Sequence, residues 1–414
     1  MTARALHRNR DFMLLWSGQT LSELGSQVSL VAYPLLVLAL TGSPAKAGVV
    51  GFARTLPIAA LALPAGALAD RLNRKRLMIA CDGVRALALA TIPIALAAGA
   101  LPYALVVAVA FVDGAGFVVS YVAERGALAQ LVAREQLGEA VARNESRTFA
   151  AMLAGPPVGG LLFGIARALP FATDAISYAA STASMALIRT DFQTSRDAAV
   201  RGGLGDGLRW LWRERFFRAC ALLFAGGNPI FTGAYLLIVV LAKRHGASSA
   251  LVGVMLGVAA AGGLLGALLA ARLVRRLSPS RVIIGETCLT ALLLPLLLIA
   301  RNPILLGLIV AGLEFATPVT NSLVVSYRVA LAPDRLQGRV QAASTLVSFS
   351  AAWLGPLAIG LLLQSAGATA TILAVCGWAA LLAAIALLAP AFRHPPRLPQ
   401  TPSVAPGVTA GAAS

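Results

Sequence analysis

Two carboxylates stand where a membrane-spanning chain tolerates them least. Asp113 lies near the middle of the apolar run 103–122, and Glu314 near the middle of the run 304–325, 201 residues further on. An acid in hydrocarbon is expensive, and its default setting is a cavity, where it can bind a cation or load and release a proton. The alternative is a carboxylate satisfied by serine, threonine or backbone groups at a helix contact. Glu23 in the run 12–40 and Asn228 in the run 219–241 extend the set to three acids and an amide.

A second group of charges clusters at a turn. The run ending at Asp70 is followed by Arg71, Asn73, Arg74, Lys75 and Arg76 before the chain becomes apolar again. A carboxylate is unfavourable at a helix C-terminus, where the macrodipole is negative, so Asp70 requires a partner. The expected partner is Arg339, at the start of the eleventh run, and Gly66 leaves room for another helix to approach. Asp82 and Arg85 are spaced i, i+3, close enough to pair with each other behind this turn. Arg54 lies about two turns from the outer end of its run and is expected to snorkel outward. Gly155, Pro156, Gly159 and Gly160 form a small-residue patch that allows a kinked, closely packed helix.

The elements that position these residues follow from composition. The chain is 58% hydrophobic and only 12% charged, with mean hydropathy +0.81, which places it outside soluble domains and among integral membrane proteins. Twelve apolar runs are each near the ~20 residues a spanning helix needs. They are 12–40, 47–69, 77–100, 103–122, 148–166 and 171–188, then 219–241, 251–271, 282–300, 304–325, 340–363 and 369–389. Of the 34 Lys and Arg residues, 27 fall in alternate loops and tails on one side. Five (Lys46, Arg167, Lys243, Arg244 and Arg301) fall on the other. This asymmetry puts both termini in the cytoplasm and the basic loops against anionic lipid headgroups. It also accounts for the net charge of +17 without nucleic acid.

The longest interruption, 189–218, mixes arginines with Leu208, Leu211 and Trp212 and is expected to hold an amphipathic helix at the inner surface. It divides the chain into a six-helix half (1–188) and a second half (219–390), with a disordered tail at 391–414. The N-terminal run is too long, and lacks the cleavage site, for a signal peptide, so it is expected to remain as the first span. Cys81, Cys220, Cys288 and Cys376 fall singly, and His7, His245 and His394 lie in loops or tails. No disulfide framework, metal site or histidine relay is implied. Neither a cofactor nor an enzyme is indicated, and without a Walker A sequence ATP is not the energy source.

The halves resemble each other. Gly66-Ala67-Leu68 recurs as Gly266-Ala267-Leu268, Gly155-Pro156 as Gly355-Pro356, and Gly160 as Gly360, all 200 residues apart. Such a parallel repeat of six helices is the arrangement of major facilitator transporters. The stretch from Gly66 to Lys75 resembles the loop motif of that superfamily at Gly66, Leu68, Ala69, Asp70, Arg71, Arg74 and Lys75. Asn73 replaces the usual glycine, and asparagine tolerates positive φ, so the turn is expected to persist. In the second-half copy Ala270 stands where Asp70 would be. Gly155, Pro156, Gly159 and Gly160 resemble the fifth-helix motif of the superfamily's exporters, with Ala151 in place of an earlier glycine. Asn9–Phe12, Trp16, Gly18, Gln19, Asp82, Arg85 and Asn144–Arg147 are similar to the branch of enterobactin exporters and macrolide-efflux proteins.

The resemblance covers residues 11–389 and implies an all-α fold of twelve transmembrane helices in two halves related by pseudo-two-fold symmetry. It puts the first, fourth, seventh and tenth spans around one cavity, with Asp113, Glu314, Glu23 and Asn228 as a polar ring. It makes Gly66, Asp70, Arg71, Arg74, Lys75 and Arg339 a gate that forms when the protein opens outward, with Asp82 and Arg85 in support. It also makes the Gly-Pro motif a seal. The fourth span lacks the arginine that drug/proton antiporters of the superfamily often carry there. The expected function is export of an amphipathic organic molecule, drug-like or a natural product, against proton entry by a monomer in the cell membrane. An importer of a small polar nutrient would require a more polar first and seventh span. A membrane sensor or scaffold would carry a soluble domain.

Overall fold

The computed structural model describes residues 6–190, 192, 204–333, 336–393 and 395–396. Among them the chain is helical almost throughout, without a strand. The first six long helices are α1 (Arg10–Thr41), α2 (Pro44–Arg71), α3 (Arg74–Ala97), α4 (Tyr103–Leu131), α5 (Leu137–Ile165) and α6 (Leu169–Ala186). A short α7 (Leu204–Arg213) leads into the second series: α8 (Arg215–Arg244), α9 (Ser249–Arg276), α10 (Pro279–Leu293) and α11 (Pro303–Leu331). The chain continues as α12 (Gln337–Phe349), α13 (Leu354–Ser365), α14 (Gly367–Leu388) and α15 (Pro390–Arg393). Counting α12 with α13, twelve segments match the twelve apolar runs, and ten of them, by length and hydropathy, suit a membrane span among the described residues.

Local chemistry sets the helix ends. Ser43, Asn73, Ser248 and Asn302 are N-caps whose side chains accept from Lys46 N, Arg76 N, Leu251 N and Ile304 N. Pro44 and Pro303 follow their caps at the first helical position, where a missing N–H removes no helix bond. Asn73 therefore does not use the left-handed conformation expected of it. Its φ is −63°, and its side chain starts α3 instead. Among the described residues positive φ is confined to glycines, including Gly42 (63°) and Gly246 (77°), in the tight turns at the end of the bundle away from the basic loops.

Two apolar runs are not single α-helices. Pro295 lacks the N–H that would continue α10, and residues Leu294–Leu298 tighten into a 3-10 turn. The run 340–363 breaks at Ser350–Trp353, which places Pro356 in the first turn of α13. The break frees carbonyls on the preceding turn. Asn228 Nδ2 donates to Ser348 O (2.7 Å), and Thr232 Oγ1 to Ala352 O (2.6 Å).

Within the first half, α1 packs on α5 and α6, α2 on α4, and α3 on both α4 and α6. In the second, α9 packs on α11, α8 on α12 and α13, and α10 on α11 and α14. The two most extensive contacts between the halves are α5 with α9 and α2 with α13. Each is made by glycines against a Gly-Pro motif. A Cβ on Gly253 would lie 3.0 Å from Gly160 Cα, and one on Gly360 2.8 Å from Gly48 Cα. All four glycines lie within about two turns of the helix ends opposite the basic loops. Ser43 Oγ donates to Gln364 Oε1 (3.0 Å) across the same end. The bundle is thus shut at the end opposite its basic loops.

α7 does not lie free. Gly207 sits against the backbone of Arg339 on α12, Leu211 is fully buried, and Trp212 remains exposed. The chain after Pro390, where a tail was expected to begin, forms α15 and buries Phe392 against Phe216. The remainder of the expected tail, from 397, lies outside the described residues.

Candidate functional site

The four residues expected to form one ring do not meet, and the polar groups of the bundle gather instead in two separate places. The first is a sealed cluster between α1, α2, α3, α4 and α6. Asp113 Oδ1 accepts from Arg85 Nε (2.9 Å) and Nη2 (2.8 Å), and Oδ2 accepts from Arg54 Nε (2.9 Å). Tyr178 OH is also within reach of Oδ1 at 3.4 Å. Asp113 is completely buried, so it is a fixed counter-ion for two guanidiniums rather than a cavity acid. Arg54 correspondingly turns inward, against the expectation that it would snorkel, because a buried carboxylate offers a stronger partner than the interface. Arg85 likewise aims at Asp113. Its distance to Asp82, the partner expected from spacing, is 3.9 Å.

Asp82 instead accepts from Gln19 Nε2 (3.3 Å), Ser181 Oγ (2.8 Å) and Ser120 Oγ (3.2 Å). A third acid, Asp174 on α6, accompanies these two. Its Oδ2 is 2.5 Å from Ser29 Oγ and its Oδ1 3.3 Å from Ser177 Oγ. Glycines make the space. A Cβ on Gly116 would meet the Arg85 methylenes (2.5 Å), and one on Gly25 would meet Asp174 Oδ1 (2.5 Å). Arg85 also lies 3.9 Å over the Tyr178 ring. The sequence reading missed Asp174 and Tyr178. The signal was the spacing of Asp174, Ser177, Tyr178 and Ser181, a polar stripe down one face of an otherwise apolar span.

The second place is a cavity of about 180 Å³ among α8, α10, α11, α12 and α14. It lies toward the basic end. Asn228, Glu286, Thr290 and Ser344 give it polar walls, and Phe224, Phe231 and Phe349 apolar ones. Of the expected ring only Asn228 lines it. Glu286, which the sequence reading passed over, supplies the carboxylate and sits beside Thr317 and Thr320. Glu314 is absent from the lining and faces α9, 3.8 Å from the Cβ position of Gly263. Glu23 is half-buried on α1 and accepts from Gln27 Nε2 (3.4 Å).

The basic turn anchors its own half. Arg74 donates to Gly126 O (3.0 Å) on α4, and Lys75 to Ile188 O (2.5 Å) just beyond α6, as cations do near helix C-termini. Arg339 pairs with Asp206 on α7 (Nη1 to Oδ2, 3.0 Å), whereas the side chain of Asp70 lies outside the described residues. Nearby, Arg147 on α5 pairs with Glu124 on α4 at 2.9 Å, and Asn144 donates to the same carboxylate oxygen (3.2 Å). Gly155 fits against Gln27 of α1, while Gly159 fits against Val28 and Gly160 against α9.

A sequence model of the family described as transmembrane secretion effector matches residues 1–404. The multidrug efflux pump Tap of Mycobacterium tuberculosis is 27% identical, over 96% of this chain and 97% of its own. Macrolide efflux protein A of Streptococcus pyogenes is 27% identical over 37% of this chain and 38% of its own. The crystal structure of the nucleoside transporter NupG superposes with TM-score 0.73 at 12% identity, covering 93% of this chain and 100% of that one. A bacterial homologue of the iron transporter ferroportin, in an inward-facing state, gives 0.70 at 17%, covering 93% and 99%. At these identities the two structures speak for the fold alone, a paired six-helix bundle shared with transporters. The chain belongs to the transmembrane secretion effector family, within the major facilitator superfamily, and is a transporter rather than an enzyme.

Proposed function

We propose that this protein is a secondary active exporter of amphipathic organic compounds, driven by protons entering the cell, and that it works by alternating access. The observation that carries the reading is the cavity lined by aromatic and hydrogen-bonding groups at the basic end of a bundle shut at its other end by glycine contacts between the halves. Aromatic walls with a few hydrogen-bonding groups suit a drug-sized amphipathic molecule. The relatives' names, multidrug and macrolide efflux, support the direction.

In this reading the protein sits in the cell membrane with its basic end and both termini in the cytoplasm, and the basic loops lie at anionic headgroups. Residues 189–218 join two rocking halves, 1–188 and 219–390, and one chain is a complete transporter. The Gly48–Gly360 and Gly160–Gly253 contacts are the outer seal. On reversal the basic ends meet, and Arg339 leaves Asp206 for the turn carrying Gly66, Asp70, Arg71, Arg74 and Lys75. Proton coupling resides in the buried cluster of the first half, with Asp113 as its fixed anion and Asp82 and Arg85 as its inner members. Glu286 and Asn228 contact the exported compound, with Glu314 and Glu23 setting the charge around the path.

The test is accumulation of ethidium and of erythromycin in cells expressing the protein, with and without a protonophore. Wild type is expected to lower accumulation of at least one compound, and the protonophore to abolish that difference. Asp113→Asn and Glu286→Gln should each reduce it. Efflux that persists without a proton gradient would remove the coupling. Accumulation raised by the protein would reverse the direction.

A further inference from the structure

We propose that Asp174 is the carboxyl group that carries the transported proton; the assignment rests on the proton-coupled reading above. Three acids and two arginines share the buried cluster. With all three acids ionised the cluster would hold one net negative charge out of water, which is strongly unfavourable. One bound proton makes it neutral.

The hydrogen bonds say which acid takes it. Asp113 accepts from three guanidinium N–H groups and faces a phenol, so both of its oxygens are held in the ionised form. Asp82 accepts from an amide and two hydroxyls, with Arg85 behind them. Asp174 makes no ion pair among the described residues and meets only two serine hydroxyls, each of which has another acceptor. Ser29 Oγ is 3.2 Å from Ser26 O as well as 2.5 Å from Asp174 Oδ2. Ser177 Oγ is 2.8 Å from the Asp174 carbonyl as well as 3.3 Å from its carboxyl. A hydroxyl has one hydrogen. If Asp174 Oδ2 carries a proton, it donates to Ser29, Ser29 donates to Ser26 O, and Ser177 donates to the Asp174 carbonyl. Three of the four contacts are then filled, against two when the acid is ionised. If Asp174 is ionised, both serines must turn away from those carbonyls to reach it.

The groups facing Asp174 are consistent with this assignment from each neighbouring helix. α1 offers hydroxyls and Tyr33, α2 Arg54, α3 Arg85, α4 Asp113, and α6 itself Tyr178. Between Met152 and Ile165, α5 brings no titratable residue. Asp174 is also placed for exchange with the outer side. It lies five residues into α6 from the outer end, beneath the Tyr33–Phe171 ring contact (5.2 Å between centroids). When the halves part at that end, water reaches the outer side of the ring pair and hydronium gives up a proton, breaking its own O–H bond and forming that of the acid. In the inward-open state the bond breaks and the proton leaves to cytoplasmic water. Loss of the proton restores the net charge, which favours whichever conformation wets the cluster.

The experiment uses the full-length protein in lipid vesicles. Infrared difference spectra against pH should show a protonated-carboxyl band in wild type that Asp174→Asn lacks. Because asparagine imitates the neutral acid, Asp174→Asn should melt no lower than wild type, whereas Asp113→Asn should melt lower. Under an imposed pH gradient Asp174→Asn should fail to concentrate ethidium. A band that survives in Asp174→Asn, undiminished uphill ethidium transport by that variant, or a variant that fails to fold while Asp113→Asn folds would each overturn the assignment. If wild type itself shows no gradient-driven transport, the coupling reading falls, and the infrared band alone decides whether Asp174 binds a proton.

Discussion

In the first half of the bundle, polar side chains of α1, α2, α3, α4 and α6 bond to one another. In the second half, those of α8, α10, α11 and α12 face a cavity. Asp82, Asp113 and Asp174 are fully buried, while Glu286, Asn228 and Thr290 line open space. The contrast arises from few residues on similar scaffolds. Glu314 follows Asp113 by 201 residues, and Glu286 follows Arg85 by the same interval. Where the first half has Arg85, together with Arg54, to close on its acid, the second has Glu286 at the place of Arg85. Two carboxylates on neighbouring helices repel rather than pair, so no ion cluster fills the space, which stays open to a ligand. The comparison teaches that a repeated fold can close one copy on an ion cluster and leave a cavity in the other by changing a few charged positions, Arg85 against Glu286 among them.

The comparison can be broken most forcefully at Asp113. Asp113→Ala leaves two buried guanidiniums without their anion and is expected to cost about 3–5 kcal/mol of stability. Thermal unfolding in detergent checks this, and an unchanged midpoint would mean that the cluster is not the rigid element described. A smaller effect is expected in the second half. Asn228→Ala leaves the Ser348 carbonyl at the helix break without its donor, a loss of about 1–3 kcal/mol measured in the same way.

Glu286→Gln sharpens the contrast by acting on ligand rather than fold. It should weaken binding of ethidium, a cation, by about tenfold, equivalent to about 1.4 kcal/mol. Unfolding should change little, and direct binding titration to the purified protein reads the difference. If stability falls instead, Glu286 belongs to a structural network like that of the first half. The smallest effect belongs to the Asp206–Arg339 pair, with its half-exposed carboxylate. Asp206→Ala should change stability by no more than about 1 kcal/mol. A larger loss would make α7 a structural brace.

Much of the fold was legible because the bilayer imposes a simple length and polarity rule. The apolar runs, their repeat at 200 residues and the Gly-Pro motifs all correspond to elements that the structure displays. The candidate site was legible only in kind. Asp113 was recognised as an unusual acid, yet its partners Arg54 and Arg85 lie 59 and 28 residues away on other helices. Spacing along one helix pointed Arg85 to Asp82, and depth along another pointed Arg54 to the interface. Neither cue contains the direction of α4.

The sequence by itself determined that this chain crosses a membrane repeatedly, that its basic loops share one end, and that motifs recur at 200 residues, since these depend on composition and on order along the chain. Tertiary structure alone decided which carboxylates are neutralised and which face open space. That outcome depends on the rotation of each helix about its axis and on close approaches at Gly25, Gly114 and Gly116. A turn of about 100° per residue moves a side chain from a guanidinium to a cavity without altering the hydropathy of its run.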